Sequence, residues 1–250
     1  MAQEVLRMEG ITKIYDNGFV ANKNVTFWLN EGEILALVGE NGAGKTTLMK
    51  VLFGLEAPQS GQVMMNGAPV KILNTLDAIG KGIGMVHQHF MLVPSLTVAE
   101  NVVLGIEPMK NGLFDFNAAV SMTQEVADKY NFNIDPKMKV ADLSVGQMQK
   151  VEIMKVLIKG AKIIIMDEPT AVLTPQETDE LFEQLLLLRD SGHSIIFISH
   201  KLEEVKRICS RVTVLRHGYC LGSYDLKDMN ESDISRLMVG RDVVLKIEKD

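Results

Sequence analysis

A glycine-rich segment between an apolar run and a helix-forming run restricts the fold of this chain more than any other feature. The segment, Gly39-Glu40-Asn41-Gly42-Ala43-Gly44-Lys45-Thr46, fits the pattern GxxxxGK[ST] in full. It follows the wholly apolar Ile34–Val38 and precedes a helical pattern over Lys45–Phe53. In a phosphate-binding loop of this order, glycines let backbone N–H groups and the positive end of the helix face an anion. The alternative, a glycine-rich structural turn, is disfavoured by the flanking strand and helix.

This phosphate-binding loop predicts a set of contacts with a nucleotide. Lys45 is expected to reach the β- and γ-phosphates, and the Thr46 hydroxyl to bind Mg²⁺. The loop residues expected to bind the nucleotide are Asn41, Gly42, Ala43, Gly44, Lys45, Thr46 and Thr47. The sequence therefore predicts ATP and Mg²⁺ as cofactors.

Further apolar runs indicate an α/β fold with a mostly parallel central sheet. Ile163–Met166 and Ile195–Ile198 are apolar throughout, which is typical of strands that helices cover on both faces of a sheet. Helical patterns over Pro175–Arg189 and Leu202–Ile208 alternate with these runs. This alternation of strands and helices predicts the core of a P-loop NTPase.

Two parts of the chain differ from this pattern. Alternating residues in Val5–Tyr15 and Val20–Leu29 predict strands of an antiparallel β subdomain, joined by a turn at Asp16-Asn17-Gly18. Residues 89–159 predict an inserted helical subdomain. Its candidate helices are Thr97–Leu104, Asn117–Tyr130 and Gly146–Ile158. We therefore expect one domain over residues 1–250, with residues 1–88 and 160–240 forming the nucleotide-binding core and the β subdomain.

The C-terminal part predicts smaller elements. A hairpin is expected after Ser210, with its turn at Arg216-His217-Gly218, and a short helix over Ser232–Met238. Residues 241–250, which end in the charged tail Lys246–Asp250, predict the start of a linker.

Polar side chains follow the apolar strands at the edge of the sheet where the phosphate-binding loop is expected. Asp167 and Glu168 follow one run, His200 follows a second, and Gln88 follows a third. In open α/β sheets, ligands bind outside the carboxyl ends of the strands. We therefore expect these four side chains to converge on the nucleotide.

Each of these residues suits a step of phosphate chemistry. Asp167 suits the binding of Mg²⁺ through its water shell, and Glu168 could polarise the attacking water as general base. His200 could hydrogen-bond the γ-phosphate, and the amide of Gln88 could sense both the γ-phosphate and Mg²⁺. The alternatives are a solvated loop carboxylate for Glu168 and a structural imidazole for His200. Their convergence predicts Glu168, His200 and Gln88 as catalytic, and Thr46, Gln88 and Asp167 as metal ligands.

A second helix start carries the LSVGQ segment, Leu143–Gln147. Ser144 followed three residues later by Gln147 is a helix capping box, which is a structural role. A helix N-terminus is also an anion site, so this one could face a phosphate supplied by another subunit. The two roles do not exclude each other.

These elements follow the order found in ATP-binding cassette (ABC) ATPases, and the chain resembles that family over nearly its whole length. The matching elements are the phosphate-binding loop, Gln88, the LSVGQ segment, Asp167, Glu168 and His200. The resemblance implies a head-to-tail dimer that holds two ATP molecules at its interface, so that each phosphate-binding loop faces the partner's LSVGQ segment.

The same resemblance assigns further contacts with ATP. It implies that Ser144, Gly146 and Gln147 bind the ATP of the partner. It also implies that Tyr15 stacks on adenine, although an ordinary strand aromatic is the alternative for this residue.

Two positions depart from the pattern of the family. Val145 stands where the wider family has glycine, and valine does not readily adopt a positive φ. Thr174 stands where most relatives carry an aspartate that helps to connect the two sites across the dimer. The second departure puts the strength of that connection in doubt, but not ATP binding.

Two segments, Met85–Val102 and Asp167–Glu177, resemble more closely the ATP-binding subunits of simple-sugar and nucleoside importers. In that branch two nucleotide domains share one polypeptide, and this chain has one phosphate-binding loop. The resemblance therefore implies an N-terminal half whose dimer partner is the C-terminal half. It implies membrane permease subunits, docked near Phe90–Glu107, and indirectly a solute-binding protein. The apolar Met91–Pro94 is a candidate docking surface, with burial in the subdomain's own core as the alternative.

Composition separates this hypothesis from its competitor, an ABC ATPase acting on nucleic acid or the ribosome. A formal net charge of -6 argues against a nucleic-acid partner. The two cysteines, Cys209 and Cys220, form no CxxC pair or zinc spacing, and we expect free thiols. No run reaches the ~18 apolar residues of a membrane span, and the N-terminus lacks a signal peptide's apolar stretch. We expect a cytoplasmic protein, held at the inner face of the membrane by other subunits.

Overall fold

The computed structural model describes residues 3–240 of the chain, which contain twelve strands and eight α-helices. The strands are β1 (Glu4–Ile14), β2 (Val20–Asn30), β3 (Ile34–Val38), β4 (Ser60–Met65), β5 (Ala68–Val70), β6 (Ile83–Val86), β7 (Met109–Lys110), β8 (Leu113–Phe114), β9 (Ile163–Asp167), β10 (Ser194–Ile198), β11 (Arg211–Arg216) and β12 (Tyr219–Asp225). The helices are α1 (Lys45–Leu52), α2 (Thr75–Gly80), α3 (Val98–Val102), α4 (Phe116–Lys129), α5 (Val145–Ile158), α6 (Pro175–Asp190), α7 (Leu202–Ile208) and α8 (Glu231–Val239). The predicted linker start at residues 241–250 lies outside the described range.

The central sheet has six strands in the order β12-β11-β3-β10-β9-β6. All neighbouring pairs are parallel except β11 with β12, which form the predicted C-terminal hairpin. Every residue of β3, β9 and β10 is buried, as their apolar sequences predicted. The structure thus confirms a mostly parallel central sheet, and β3, β9 and β10 end at the same edge because they run in one direction.

Two hydrophobic cores lie on the two faces of this sheet, because successive side chains of a strand point to opposite faces. Ile34, Ala36 and Val38 of β3 belong to one core, which also contains residues of α3 to α8. Leu35 and Leu37 belong to the other, which contains residues of α1, α2 and the first two strands. The helices α3, α4 and α5 therefore share a core with the sheet, and the boundaries of a helical subdomain at residues 89 and 159 stay a prediction.

A separate antiparallel sheet in the order β2-β1-β4-β5 confirms the predicted β subdomain. The turn at residues 16–18 joins β1 to β2 as expected. The sequence analysis identified neither β4 nor β5, and it also missed α2. These three elements are short and half-exposed, so they lack the long apolar pattern that marks the others.

Some predicted boundaries were wrong. The helix predicted over Thr97–Leu104 ends at Val102, and the strand that precedes Gln88 ends at Val86, before His87. The insertion is not wholly helical, because β7 and β8 form a hairpin. Asn111 and Gly112 form its turn with φ values of 53° and 79°, the two positive values that a tight hairpin turn requires. Within residues 3–240, no helix is both long enough and apolar enough to cross a membrane.

Candidate functional site

The phosphate-binding loop joins β3 to α1 and lines a cavity of about 440 Å³, the phosphate-loop cavity. Its lining residues are Phe19, Ala21, Asn41, Gly42, Ala43, Gly44, Lys45, Thr46, Thr47, Gln88, Glu168 and His200. The cavity thus brings together the seven loop residues that were predicted to bind the nucleotide and the three residues that were predicted to be catalytic. Phe19 and Ala21 line it as well, and the sequence analysis named neither.

Close packing beneath the loop explains two of its glycines. A Cβ atom on Gly39 would overlap the carbonyl oxygen of Leu215 at the end of β11. A Cβ atom on Gly44, which has a φ of 99°, would overlap the carbonyl oxygen of Ala21 in β2. The loop therefore packs directly against β2 and β11, and only glycine fits at residues 39 and 44 without a shift of the backbone.

Lys45 lies beneath the loop with only 7% of its surface exposed. Its ammonium group donates hydrogen bonds to the carbonyl oxygens of Gly39 (2.7 Å) and Glu40 (3.2 Å). Burial lowers the pKa of Lys45, and the carboxylates of Glu168 and Asp167 oppose that shift. An ammonium has three N–H donors, so a third can reach a phosphate oxygen while two keep the loop in place.

Thr46, at the start of α1, and Asp167, at the end of β9, each carry an oxygen atom that could bind a metal ion. The Thr46 hydroxyl donates to Oδ1 of Asp167 at 3.5 Å. Asp167 is 4% exposed, and burial raises its pKa while the Thr46 hydroxyl lowers it. A divalent cation would compensate a buried carboxylate, and magnesium prefers such hard oxygen donors. Across residues 3–240 no group of three or more His, Cys, Asp and Glu side chains is placed to hold a metal ion.

Glu168 and His200 contact each other directly at the cavity. Oε2 of Glu168 lies 2.8 Å from Nδ1 of His200, and the Glu168 side chain is only 12% exposed. Glu168 has a φ of 51°, an uncommon value for a residue with a side chain. Its N–H donates to the carbonyl oxygen of Ile198 at 3.0 Å, which ties this conformation to the end of β10. Such strain costs about 1–3 kcal/mol and is concentrated at functional sites.

A third carboxylate, that of Glu204, holds the segments that carry Glu168 and His200 together. Its Oε2 accepts hydrogen bonds from the hydroxyls of Thr170 (2.7 Å) and Ser199 (3.3 Å). Thr170 lies two residues after Glu168, and Ser199 lies directly before His200. The sequence analysis missed Glu204, and the only sequence signal is its place in the first turn of α7, where a carboxylate is ordinary.

Two aromatic rings lie at the side of the cavity. The hydroxyl of Tyr15 shares a hydrogen bond with the Thr47 hydroxyl at 3.2 Å. The rings of Tyr15 and Phe19 are stacked, with centroids 6.5 Å apart and planes 19° apart. Tyr15 does not line the cavity itself, whereas Phe19 does, and the ring of Phe19 is 54% exposed. The sequence offered one signal for Phe19 as a cavity residue, because it is an aromatic residue directly after the turn at residues 16–18.

The LSVGQ segment lies outside the phosphate-loop cavity, at the N-terminus of α5. Ser144 and Gln147 form the capping box predicted from the sequence, and each side chain accepts a hydrogen bond from the backbone of the other. Val145 is the first residue of α5 and is not among the residues with positive φ, so valine is accommodated there. Ser144, Gly146 and Gln147 therefore do not line the cavity formed by the phosphate-binding loop of their own chain.

Thr174, the second departure from the family pattern, is the N-cap residue directly before α6. Its hydroxyl accepts a hydrogen bond from the N–H of Glu177 at 3.3 Å, and the Glu177 carboxylate accepts from the N–H of Thr174 at 3.0 Å. Threonine thus caps this helix in a capping box.

The candidate docking surface, Met91–Pro94, is partly buried in the core and partly exposed. Leu92 packs against the core that contains α3 to α8. Met91 and Val93 are 60% and 38% exposed. Further exposed apolar side chains lie in the same insertion at Leu104, Ile106, Met109, Leu113 and Phe114. Part of the segment is therefore core and part is free for a partner.

Comparison with known proteins gives three results. A sequence model described as ABC transporter matches residues 22–171. The guanosine import ATP-binding protein NupO of Bacillus subtilis is 50% identical over 98% of this chain and 48% of that protein. A glucose import ATP-binding protein of Haloferax volcanii is 45% identical over 98% of this chain and 50% of that protein. The chain thus spans about half the length of these relatives.

Among solved structures, the chain is similar to an ATP-binding cassette of an ABC transporter in its ADP conformation. The two are 25% identical and superpose with a TM-score of 0.82, over 95% of this chain and 99% of that one. The likeness extends over both sheets and the inserted helices, since it covers nearly the whole of each chain.

Proposed function

Because the chain belongs to the ABC transporter family, we propose that it binds and hydrolyses ATP to drive import of a small solute, a sugar or a nucleoside, through a membrane permease. One observation carries the proposal. Three stretches of chain outside the phosphate-binding loop bring Gln88, Glu168 and His200 to the cavity that Lys45 lines. These are the groups that transfer of a γ-phosphoryl group to water needs.

The proposed chemistry starts from the contact between Glu168 and His200. The carboxylate of Glu168 accepts a proton from the water that attacks the γ-phosphorus, and His200 holds that carboxylate through Nδ1. As the new bond forms, the bond between the γ-phosphorus and the bridging oxygen breaks, and ADP leaves with its electron pair. The other ring nitrogen, Nε2, donates to a γ-phosphate oxygen in the imidazolium form, in which both ring nitrogens carry a hydrogen. Lys45 and the backbone N–H groups of the phosphate-binding loop stabilise the negative charge on the phosphates.

Thr46, Gln88 and Asp167 would hold Mg²⁺ in this proposal, since Thr46 and Gln88 line the cavity and the Thr46 hydroxyl contacts Asp167. When bound, the metal supplies charge neutralisation between the β- and γ-phosphates. Tyr15 stacks on adenine, and its hydrogen bond to Thr47 together with the neighbouring ring of Phe19 supports that position.

The site is completed by a second nucleotide-binding domain in a head-to-tail dimer. The support is that Ser144 and Gly146 lie outside the cavity of their own chain, at a helix start suited to an anion. The natural partner is the C-terminal half of a longer protein, because the relatives are about twice as long as this chain.

Opening and closing of this dimer would move the inserted helices and with them a permease docked on Met91 and Val93. Their exposure supports a docking role. The protein would then lie at the cytoplasmic face of the membrane, where a solute-binding protein contacts it only through the permease. Sugar and nucleoside are proposed as the solute classes because the relatives are glucose and guanosine import proteins.

The experiment that tests this function is uptake into vesicles that hold the permease and the complete ATP-binding protein. Labelled guanosine and glucose are offered outside, with the solute-binding protein, while ATP is enclosed with the cassettes. We expect ATP-dependent accumulation of one of the two solutes, and none with a non-hydrolysable ATP analogue. ATP hydrolysis that never responds to permease or solute, with no uptake of either class, would refute the import role.

A further inference from the structure

The N-terminus of α5 is already engaged by a carboxylate of the same chain. Oε1 of Glu177, in the first turn of α6, accepts hydrogen bonds from the N–H of Gly146 (2.9 Å) and the hydroxyl of Ser144 (3.3 Å). Its Oε2 accepts from the N–H and the hydroxyl of Thr174, both at 3.0 Å. One side chain therefore joins the LSVGQ segment to the start of α6.

This carboxylate is ionised and closely packed. The N–H groups of Thr174 and Gly146 lower the pKa of Glu177, and the hydroxyls of Thr174 and Ser144 lower it further. A Cβ atom on Gly146 would lie 2.8 Å from both Cγ and Oε1 of Glu177, so glycine is what allows the contact. The positive end of α5 thus faces a negative charge in the free chain, which is the arrangement that a helix N-terminus favours.

The two donors that Oε1 occupies are the donors that a second nucleotide would need. The N–H of Gly146 has one hydrogen, and the Ser144 hydroxyl also has one. A phosphate oxygen at this helix start therefore competes with Oε1 of Glu177 for the same two hydrogens.

We propose that Glu177 occupies the phosphate position of the LSVGQ segment in the free chain and is displaced by the γ-phosphate of the partner's ATP when the dimer closes. The inference rests on the proposed head-to-tail dimer. Glu177 is therefore an autoinhibitory residue. Its hydrogen bonds to the LSVGQ segment must break before the dimer can close, and this opposes closure at a low ATP concentration. It does not touch the ATP bound by its own chain.

Displacement leaves the rest of this region in place. Rotation of the Glu177 side chain can free Gly146 while Oε2 keeps its bonds to Thr174. A separate ion pair between Lys150 of α5 and Glu180 of α6, at 2.8 Å, holds the two helices together. Glu180 therefore offers a matched control, since it also joins α6 to α5 through a carboxylate but leaves the LSVGQ segment untouched.

The test is ATP-dependent association of this chain with the C-terminal half of the complete protein, measured by light scattering after size exclusion, in a Glu168→Gln background that preserves ATP. Glu177→Gln removes the charge and keeps a side chain that can form a capping box with Thr174. For Glu177→Gln we expect half-maximal association at an ATP concentration roughly fivefold or more below that of the chain with Glu177. The shift should be larger for Glu177→Ala. Glu180→Gln should leave that concentration unchanged, and ATP affinity of the monomer should be equal in all variants.

Three results would separate the possibilities. Association that is unchanged or weakened in both Glu177 variants, with unchanged melting temperature, would overturn the displacement of Glu177. Failure of every variant to associate with the C-terminal half, although all bind ATP, would overturn the proposed dimer and the inference with it. A shift of the same size in Glu180→Gln would assign the effect to looser packing of α5 on α6, and would also overturn it.

Discussion

Replacing Glu168 with glutamine is expected to lower the rate of ATP turnover by about 10²- to 10⁴-fold, the usual contribution of a general base. Glutamine has the shape of glutamate and can still bond to Nδ1 of His200, but its amide cannot take a proton from water. ATP affinity should stay within about twofold, because glutamine keeps the polar contacts of residue 168. Phosphate release at saturating MgATP and titration with a fluorescent ATP analogue measure the two quantities.

Glu203→Gln is the matched control for this prediction. Glu203 is an exposed carboxylate in the first turn of α7, close in sequence to His200, and it does not line the phosphate-loop cavity. Its replacement should leave turnover unchanged. If Glu168→Gln hydrolysed ATP at the normal rate, another group would have to be the base, and the contact between Glu168 and His200 would need a different explanation.

Replacing Lys45 with alanine is expected to weaken ATP binding by about 10- to 100-fold, the loss that follows removal of a charged hydrogen bond of 1.5–3 kcal/mol. Two effects act together. The phosphates lose a cation, and the carbonyl oxygens of Gly39 and Glu40 lose the ammonium that holds the loop. Calorimetric titration with ATP measures the change.

Lys50→Ala separates this effect from a general loss of positive charge. Lys50 lies in the last turn of α1, on the same helix as Lys45, and it does not line the cavity. Its replacement should leave ATP affinity unchanged. Unaltered affinity in Lys45→Ala would remove Lys45 from the phosphate contacts.

The core of this fold follows from local sequence patterns. The strand β3 was predicted with its observed ends because each of its five residues is apolar and buried and glycine follows directly. The start of α1 was predicted at Lys45 from the GxxxxGK[ST] pattern, and the φ of 99° at Gly44 explains why the helix does not begin earlier. By contrast, β4 forms by pairing with β1, and β5 forms by pairing with β4. The residues of both strands are largely exposed, so their sequences lack an apolar pattern.

The site was predicted to the extent that a topological rule applies. Asp167, Glu168, His200 and Gln88 were identified because they follow strands that end at one edge of the sheet. Contacts between distant segments could not be predicted in this way. Glu177 and Glu204 are acidic residues in the first turn of a helix, where a carboxylate is ordinary. Only the folded structure places them against Gly146 and Thr170.

The central claim is that separate stretches of chain meet around the terminal phosphate of one nucleotide. The measurement that tests it most directly is a crystal structure of the Glu168→Gln variant with MgATP. We predict the γ-phosphate within about 3 Å of the Lys45 ammonium, with the side chains of residue 168 and His200 facing it from the opposite side. A triphosphate bound outside the phosphate-loop cavity, or a γ-phosphate that neither residue 168 nor His200 approaches, would contradict the account.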